Sequence, residues 1–221
     1  MARVLIIGAS GGIGAAVADA CTARGDDVTG LSRSGDGLDL TDEASVDRIV
    51  GEISGPFDLV LLATGALEID GAEPEKTIKA IKAKAMLDQF ALNAVGPALV
   101  LRHAPDLLPR EGRSVFAVLS ARVGSIEDNR IGGWISYRSA KAAVNQVVHT
   151  AAIELARSHG EAVCVALHPG TVATEFTRKY LGRHPSVAPE EAAENLLGVI
   201  DGLTSDDSGG FFDWAGKAVP W

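Results

Sequence analysis

A chain of 221 residues fits one α/β domain and is long enough to bury about 70% of its unfolded surface without disulfide or metal staples. Its 29 acidic residues against 20 basic ones, a net charge of −9, argue against nucleic acid or an anionic membrane as partner, since both select basic patches. Cys21 and Cys164 each sit inside an apolar run, so they read as core residues of a reducing compartment, and no metal-ligand spacing is visible.

The chain opens on "RVLIIG" (3–8), an apolar run of strand length that reads as a first strand rather than a signal peptide. "GIGAAVADACTARG" (12–25) follows with helical spacing and stops at Gly25. Strand two is "DVTGLSR" (27–33). "TDEASVDRIVGEI" (41–53) has Thr41 as a cap and acids in its first turn, the signature of a helix start. "FDLVLLATG" (57–65) is strand three. The stretch 73–109 reads as mostly helical, in two pieces. "RSVFAVLS" (113–120) is strand four, 132–160 holds a long helix, and "EAVCVALHPG" (161–170) is strand five. Residues 188–203 form a helix with a proline near its start, and 209–221 close with a short strand and a tail.

Strands alternating with helices predict βαβ crossovers: one Rossmann-type, doubly wound domain over 1–221, with a mainly parallel sheet, helices on both faces and a substrate site at the C-terminal strand ends. No apolar stretch approaches the roughly 20 residues needed to span a bilayer. The expected setting is cytoplasmic, without membrane or nucleic-acid partners.

"GASGGIG" (8–14) lies between strand one and the first helix. Gly8, Gly12 and Gly14, with Ser10, Gly11 and Ile13 between them, permit a sharp turn and close approach of backbone to a pyrophosphate. The helix N-terminus adds free N–H groups and positive dipole. The plain alternative is a tight turn with no ligand. At the end of strand two a carboxylate suits the 2′-hydroxyl of NAD, whereas a basic residue suits the 2′-phosphate of NADP. Arg33 occupies that place beside Ser32 and Ser34, and the nearest acid, Asp36, falls in a glycine-flanked loop. NADP(H) is therefore the expected cofactor, with NAD(H) second and a merely solvated arginine as the bland reading. Asp39, with Leu40, falls where the adenine edge would lie.

With "GASGGIG", "LDLTD", "NAVG", "YRSAK" and "HPGTVAT" in this order over nearly the whole chain, the sequence resembles the short-chain dehydrogenase/reductase family, nearest its compact C-factor-like and sniffer-like carbonyl reductases. The resemblance implies an NADP-dependent reduction of a carbonyl, or oxidation of an alcohol, on a small to medium substrate. It makes Tyr137 the acid/base and gives Lys141 the nicotinamide ribose and the tyrosinate. Asn93 would hold a relay water. Pro169, Gly170, Thr171, Val172 and Thr174 would hold the carboxamide side, and Ala63, Thr64 and Gly65 the adenosine side. It also implies a homo-oligomer, dimer or tetramer, through the alanine-rich face of the long helix. A phenol titrates near 10, and a neighbouring ammonium is expected to pull it down toward the working range.

Three departures stand out. The family's Ser-x-x-Gly becomes "ARVG", which puts Ala121 in the serine slot and leaves Ser120, Ser125 or neither to serve; Ser120 is the expected one. "LLATG" replaces an asparagine-rich run. The stretch 175–187 is short for a lid, which points to an open site, an exposed substrate or a lid from a neighbour. His168 reads as a strand-end residue facing the cofactor loop before it reads as a base. Trp134 and "DWAGKAVPW" read as packing at the core edge or a subunit contact. A dinucleotide-binding redox sensor with little turnover is the competing function, and isomerase or dehydratase chemistry a weaker third.

Overall fold

Residues 1–182 and 185–221 are described by a computed structural model. Among these residues six strands form one parallel sheet: β1 (Arg3–Ile7), β2 (Asp27–Leu31), β3 (Leu59–Leu62), β4 (Ser114–Leu119), β5 (Ala162–His168) and β6 (Phe211–Asp213), in the order β2-β1-β3-β4-β5-β6. Among the described residues eight α-helices connect and cover them: α1 (Gly12–Ala23), α2 (Arg33–Asp36), α3 (Glu43–Val50), α4 (Ala83–Phe90), α5 (Gly96–Leu101), α6 (Ala104–Leu107), α7 (Ile135–Leu155) and α8 (Pro189–Gly202).

The central strands are largely apolar because both faces are covered; every residue of β3 and β4 is buried. Alternate residues feed two cores. Leu5, Ile7, Val60 and Phe116 pack with Val46 of α3, Val100 of α5, and Val144 and Val148 of α7. Val4, Ile6 and Leu61 pack on the other face with Val17 of α1 and Leu196 and Leu197 of α8. Each such large side chain contributes about 1.5–3 kcal/mol by leaving water. The chain leaves β1 for β2 on one side and returns to β3 on the other, so the sheet reverses winding direction there. In open sheets wound this way the ligand crevice lies outside the strands' C-terminal ends beside such a reversal.

Local chemistry shifts several expected boundaries. β2 stops at Leu31, and Arg33 to Asp36 make a helical turn whose N-cap, Ser32, accepts from Gly35 N at 2.9 Å. Asp36 is thus not loop: its carboxylate folds back to accept from Ser32 N at 2.7 Å. The cap of α3 is Asp42, accepting from Ala44 N at 3.1 Å, because Thr41 is engaged with Asp39. Residues 73–82 are not helical apart from a single 3₁₀ turn at Ile78–Ala80. Pro74 disfavours the helical region at Glu73, and Ile78, whose periodicity invited a helix, is 74% exposed. Between α4 and α5 the helix widens into a π turn, Ala91–Val95, with Gly96 N bonding back to Ala91 O. Pro97 has no N–H to offer the Asn93 carbonyl, and such bulges gather at functional positions. No described helix is long and apolar enough to cross a membrane.

Candidate functional site

The glycine turn is built for close approach. Gly8 has φ 97°, and the N–H groups of Gly8 and Ala9 bond Leu31 O at 2.8 and 3.0 Å, tying the turn to the end of β2. A Cβ on Gly14 would run into the Gly8 carbonyl, and one on Gly12 would stand 2.5 Å from Thr174 Cγ2. Gly11 caps α1 without a side-chain bond, so the first N–H groups of that helix face the crevice end unclaimed by a capping side chain. The Thr64 hydroxyl, on the wall beside Gly8, is buried with no protein partner. Uncapped helix, close glycines and an orphaned hydroxyl together fit the phosphate and ribose portions of a dinucleotide. Ser10, Gly11 and Gly12 are exposed, Ile13 is half-buried, and Arg33 is exposed at the start of α2. Asp39 accepts from Thr41 Oγ1 and N, at 2.7 and 2.9 Å, which holds its carboxyl below the ordinary value, with Arg33 helping. Leu40 is buried beneath Gly96.

Tyr137 and Lys141 lie one turn apart on α7, 5% and 3% exposed. The Lys141 ammonium donates to Leu119 O at 3.0 Å and stands 5.8 Å from the centre of the Tyr137 ring. Gly124 admits this packing: a Cβ there would stand 2.8 Å from the Lys141 carbonyl carbon. Burial lowers the Lys141 pKa to about 8. Burial also pushes the Tyr137 phenol above its ordinary value, the reverse of the lowering expected from the sequence. The physical reason is that the ammonium bonds a carbonyl and faces the ring, and removal from water dominates.

Asn93 is fully buried and joined to the strand-three loop: Oδ1 accepts from Ala66 N at 3.2 Å, while Nδ2 donates to Ala66 O at 3.0 Å and to Gln89 Oε1 at 2.7 Å. Gln89 in turn donates to Leu67 O at 2.9 Å. Gly65 brings this loop against both Asn93 and Lys141.

Ser120 does not join the cluster by any described bond. Its hydroxyl donates to Asn145 Oδ1 at 2.6 Å, one turn past Lys141. Strand alternation then turns Ala121, whose backbone is extended, to the opposite side. Ser125 is buried and accepts from Asp128 N at 3.1 Å. Trp134 is a correction: it lies at the site, edge-on to Tyr137 with centroids 6.4 Å apart and to Tyr180 at 5.2 Å. The tail behaves as expected of a core edge, with Trp221 stacked on Phe211 at 5.9 Å. Phe176 tilts over Tyr137 at 6.3 Å, and Lys179 reaches Glu68 at 2.5 Å. The described part of the 175–187 lid thus covers the phenol ring instead of leaving it open; residues 183–184 of that stretch lie outside the described residues. Pro169, Gly170, Thr171 and Val172 follow β5; Val187 N donates to Thr171 O at 3.0 Å and Ala173 N donates to Val187 O at 2.8 Å, bridging Val172 to Val187. His168 keeps a buried, unpartnered Nδ1, and burial, helped by Arg122 and opposed by Asp213, lowers its pKa to about 4.

Sequence reasoning missed Gln89, Glu75, Ser136 and Asn145. Gln89 was within reach, four residues before Asn93 on one helix face. The others depend on contacts between distant segments.

A family model described as enoyl-(acyl carrier protein) reductase matches residues 8–200. The chain is 32% identical to 1-hydroxy-2-glutathionyl-2-methyl-3-butene dehydrogenase of Rhodococcus sp. (strain AD45), over 100% of both chains. It is 40% identical to the C-signal protein of Myxococcus xanthus over 62% of this chain and 78% of that one. Among solved structures it superposes on the carbonyl reductase Sniffer of D. melanogaster with TM-score 0.82 at 20% identity, covering 100% of each chain. It superposes on an NADPH-bound carbonyl reductase from chicken fatty liver with TM-score 0.83 at 24% identity, covering 100% of this chain and 99% of that one. At these identities the two structures establish the fold.

Proposed function

Because the chain belongs to the short-chain dehydrogenase/reductase family and is an oxidoreductase of it, we propose that it reduces a carbonyl on a small to medium substrate, or runs the reverse oxidation, with NADP(H). The observation that carries this reading is the buried Tyr137–Lys141 pair, set beside Asn93 and facing the same crevice end as the glycine turn. A pure binding module has no use for a sequestered phenol.

The N-terminus of α1, with Gly8, Ser10, Gly11, Gly12, Ile13 and Gly14, would take the pyrophosphate. Ser32 and Arg33 would meet the 2′-phosphate, Asp39 and Leu40 the adenine, and Ala63, Thr64 and Gly65 the adenosine side. Pro169, Gly170, Thr171, Val172 and Thr174 would border the carboxamide. The bound cofactor supplies the hydride. Tyr137 gives its phenolic proton to the carbonyl oxygen as that oxygen gains negative charge. The O–H bond of the phenol breaks, a new O–H bond forms on product, and the Lys141 ammonium stabilises the phenolate left behind. Asn93 holds the way back for a proton, through a carbonyl that Pro97 leaves free. The preference for NADP rests on Arg33, against the carboxylate of Asp36 on the same turn.

The test is NADPH oxidation followed by absorbance with a panel of aldehydes, ketones and diones, beside Tyr137→Phe. Turnover that disappears in the variant supports the reading. Tight NADPH binding without turnover in either protein supports the redox-sensing alternative, which the alanine in the serine slot favours. Arg33→Ala should weaken NADPH by far more than NADH; equal losses overturn the cofactor assignment.

A further inference from the structure

A long helix that carries a working phenol in its first turn needs that turn held still, and the N-cap of α7 does not do so by itself. Its N-cap, Trp134, has φ 53° and makes no side-chain capping bond, and its first turn holds no acid. Gly132 and Gly133 precede it, both at φ 69°. Three consecutive left-handed residues make a sharp entry; Arg138 ties it from the helix side, donating to Gly133 O at 2.9 Å and Gly132 O at 3.2 Å, which leaves Trp134 N and Ser136 N to a distant acceptor.

The missing cap comes from a residue 61 positions earlier. Glu75 is 7% exposed, in the non-helical stretch after β3. Its carboxylate accepts from Ser136 N at 3.2 Å and from the Ser136 hydroxyl, and its backbone carbonyl accepts from Trp134 N at 2.5 Å. Burial alone would raise its pKa, but the Ser136 bonds and its own backbone hold it below the ordinary value, so it is a carboxylate at the positive end of a 21-residue helix. Ser136 is the immediate neighbour of Tyr137, and Glu75, Gln89 and Tyr137 line one hollow of about 10 Å³. The same loop is anchored at its other end, where Asn93 and Gln89 hold Ala66 and Leu67. Residues 66–75 therefore form a strap with both ends fixed: one on the π turn that presents Asn93, the other on the turn that presents Tyr137.

We propose that Glu75 is a positioning residue for the reaction: it anchors the first turn of α7 from a distant segment and so fixes the Tyr137 phenol against Lys141 and Asn93. This rests on the carbonyl-reduction reading only for its kinetic consequence. Glu75 touches neither the glycine turn nor Arg33 by any described bond, so its loss should leave the nucleotide end intact.

The experiment compares wild type, Glu75→Ala, Glu75→Gln and Ser136→Ala. Two readouts are taken: steady-state reduction of a carbonyl panel, with NADPH affinity measured separately, and the ring-carbon NMR titration of Tyr137. The chain has two tyrosines, so a Tyr180→Phe control assigns the signal. In wild type the Tyr137 signal should stay flat to pH 11. Glu75→Ala should loosen the turn, let water reach the phenol and bring its midpoint toward about 10. Its kcat should fall about 10–100-fold, with NADPH affinity within about twofold. Glu75→Gln, which still offers an acceptor to Ser136, should keep the flat titration and most of kcat. Should Glu75→Ala fail to fold, Ser136→Ala removes one bond of the anchor and should move both readouts the same way by less. A flat titration with unchanged kcat in Glu75→Ala overturns the proposal, as does a Gln variant as impaired as the Ala one. If the titration moves as described while wild type reduces none of the carbonyls, the anchor stands and the carbonyl-reduction reading fails alone.

Discussion

Gly65 approaches Asn93 so closely that a Cβ on it would lie 2.7 Å from Asn93 Oδ1 and 3.5 Å from the Lys141 ammonium. The glycine has φ 148°, where a side chain is already strained. Gly65→Ala should therefore push Asn93 off its two bonds to Ala66. The expected cost is about 1–3 kcal/mol in urea unfolding, together with a drop in kcat of about tenfold from the displaced relay. A variant with wild-type stability and kcat would mean that this close contact has no role.

The Ser120 hydroxyl is spent on Asn145, whose Nδ2 already has no partner. Ser120→Ala should destabilise by about 1–3 kcal/mol by stripping a buried amide of its remaining bond, while kcat changes by less than about threefold. Ala121→Ser places a donor on the opposite side of the strand end and should raise kcat by about tenfold or more. If Ser120→Ala abolishes turnover and Ala121→Ser does nothing, Ser120 is the substrate-binding serine after all.

The fold was legible because each layer repeats a simple rule. Apolar runs such as Leu59–Leu62 have no polar alternation to offer, so they had to be strands covered on both faces. The glycine turn and the Tyr137–Lys141 pair were legible because their spacing is local. Illegible were the features set by contacts across the chain. Glu75 lay in a stretch whose charge and spacing looked helical, and its tie to the first turn of α7 reaches across 61 residues of sequence. Trp134 carried no local sign that it would sit against Tyr137. The direction of the Tyr137 shift also escaped, since spacing alone places an ammonium nearby without telling whether it faces the oxygen or the ring.

Lys141 has a folded pKa of about 8 against an ordinary value near 10.5, lowered by burial. Below that value it is charged, the state in which it would hold the cofactor ribose and the phenolate under the proposed function; as pH rises through it, the free protein loses that charge. The kcat/KM for NADPH should accordingly fall above about pH 8. Lys141→Arg keeps its charge throughout this range, so whatever residual activity it has should lack that limb. A wild-type profile flat to pH 9.5 would contradict the burial-driven shift.

His168 sets a second pH dependence, this time on stability. Its folded pKa is about 4 against an ordinary 6.5, mainly through burial. The unfolded chain takes up a proton below pH 6.5 that the folded chain refuses until about pH 4, so unfolding is favoured progressively across that window. The residue as a whole keeps partial solvent contact, which limits the loss to about 2 kcal/mol rather than the full value of the shift. Stability by urea unfolding at pH 7 and pH 4.5 reads it directly. Wild type should lose about 1–2 kcal/mol more between the two than His168→Asn, which carries no titrating group there. Equal losses in the two proteins would assign the acid sensitivity to the carboxylates instead.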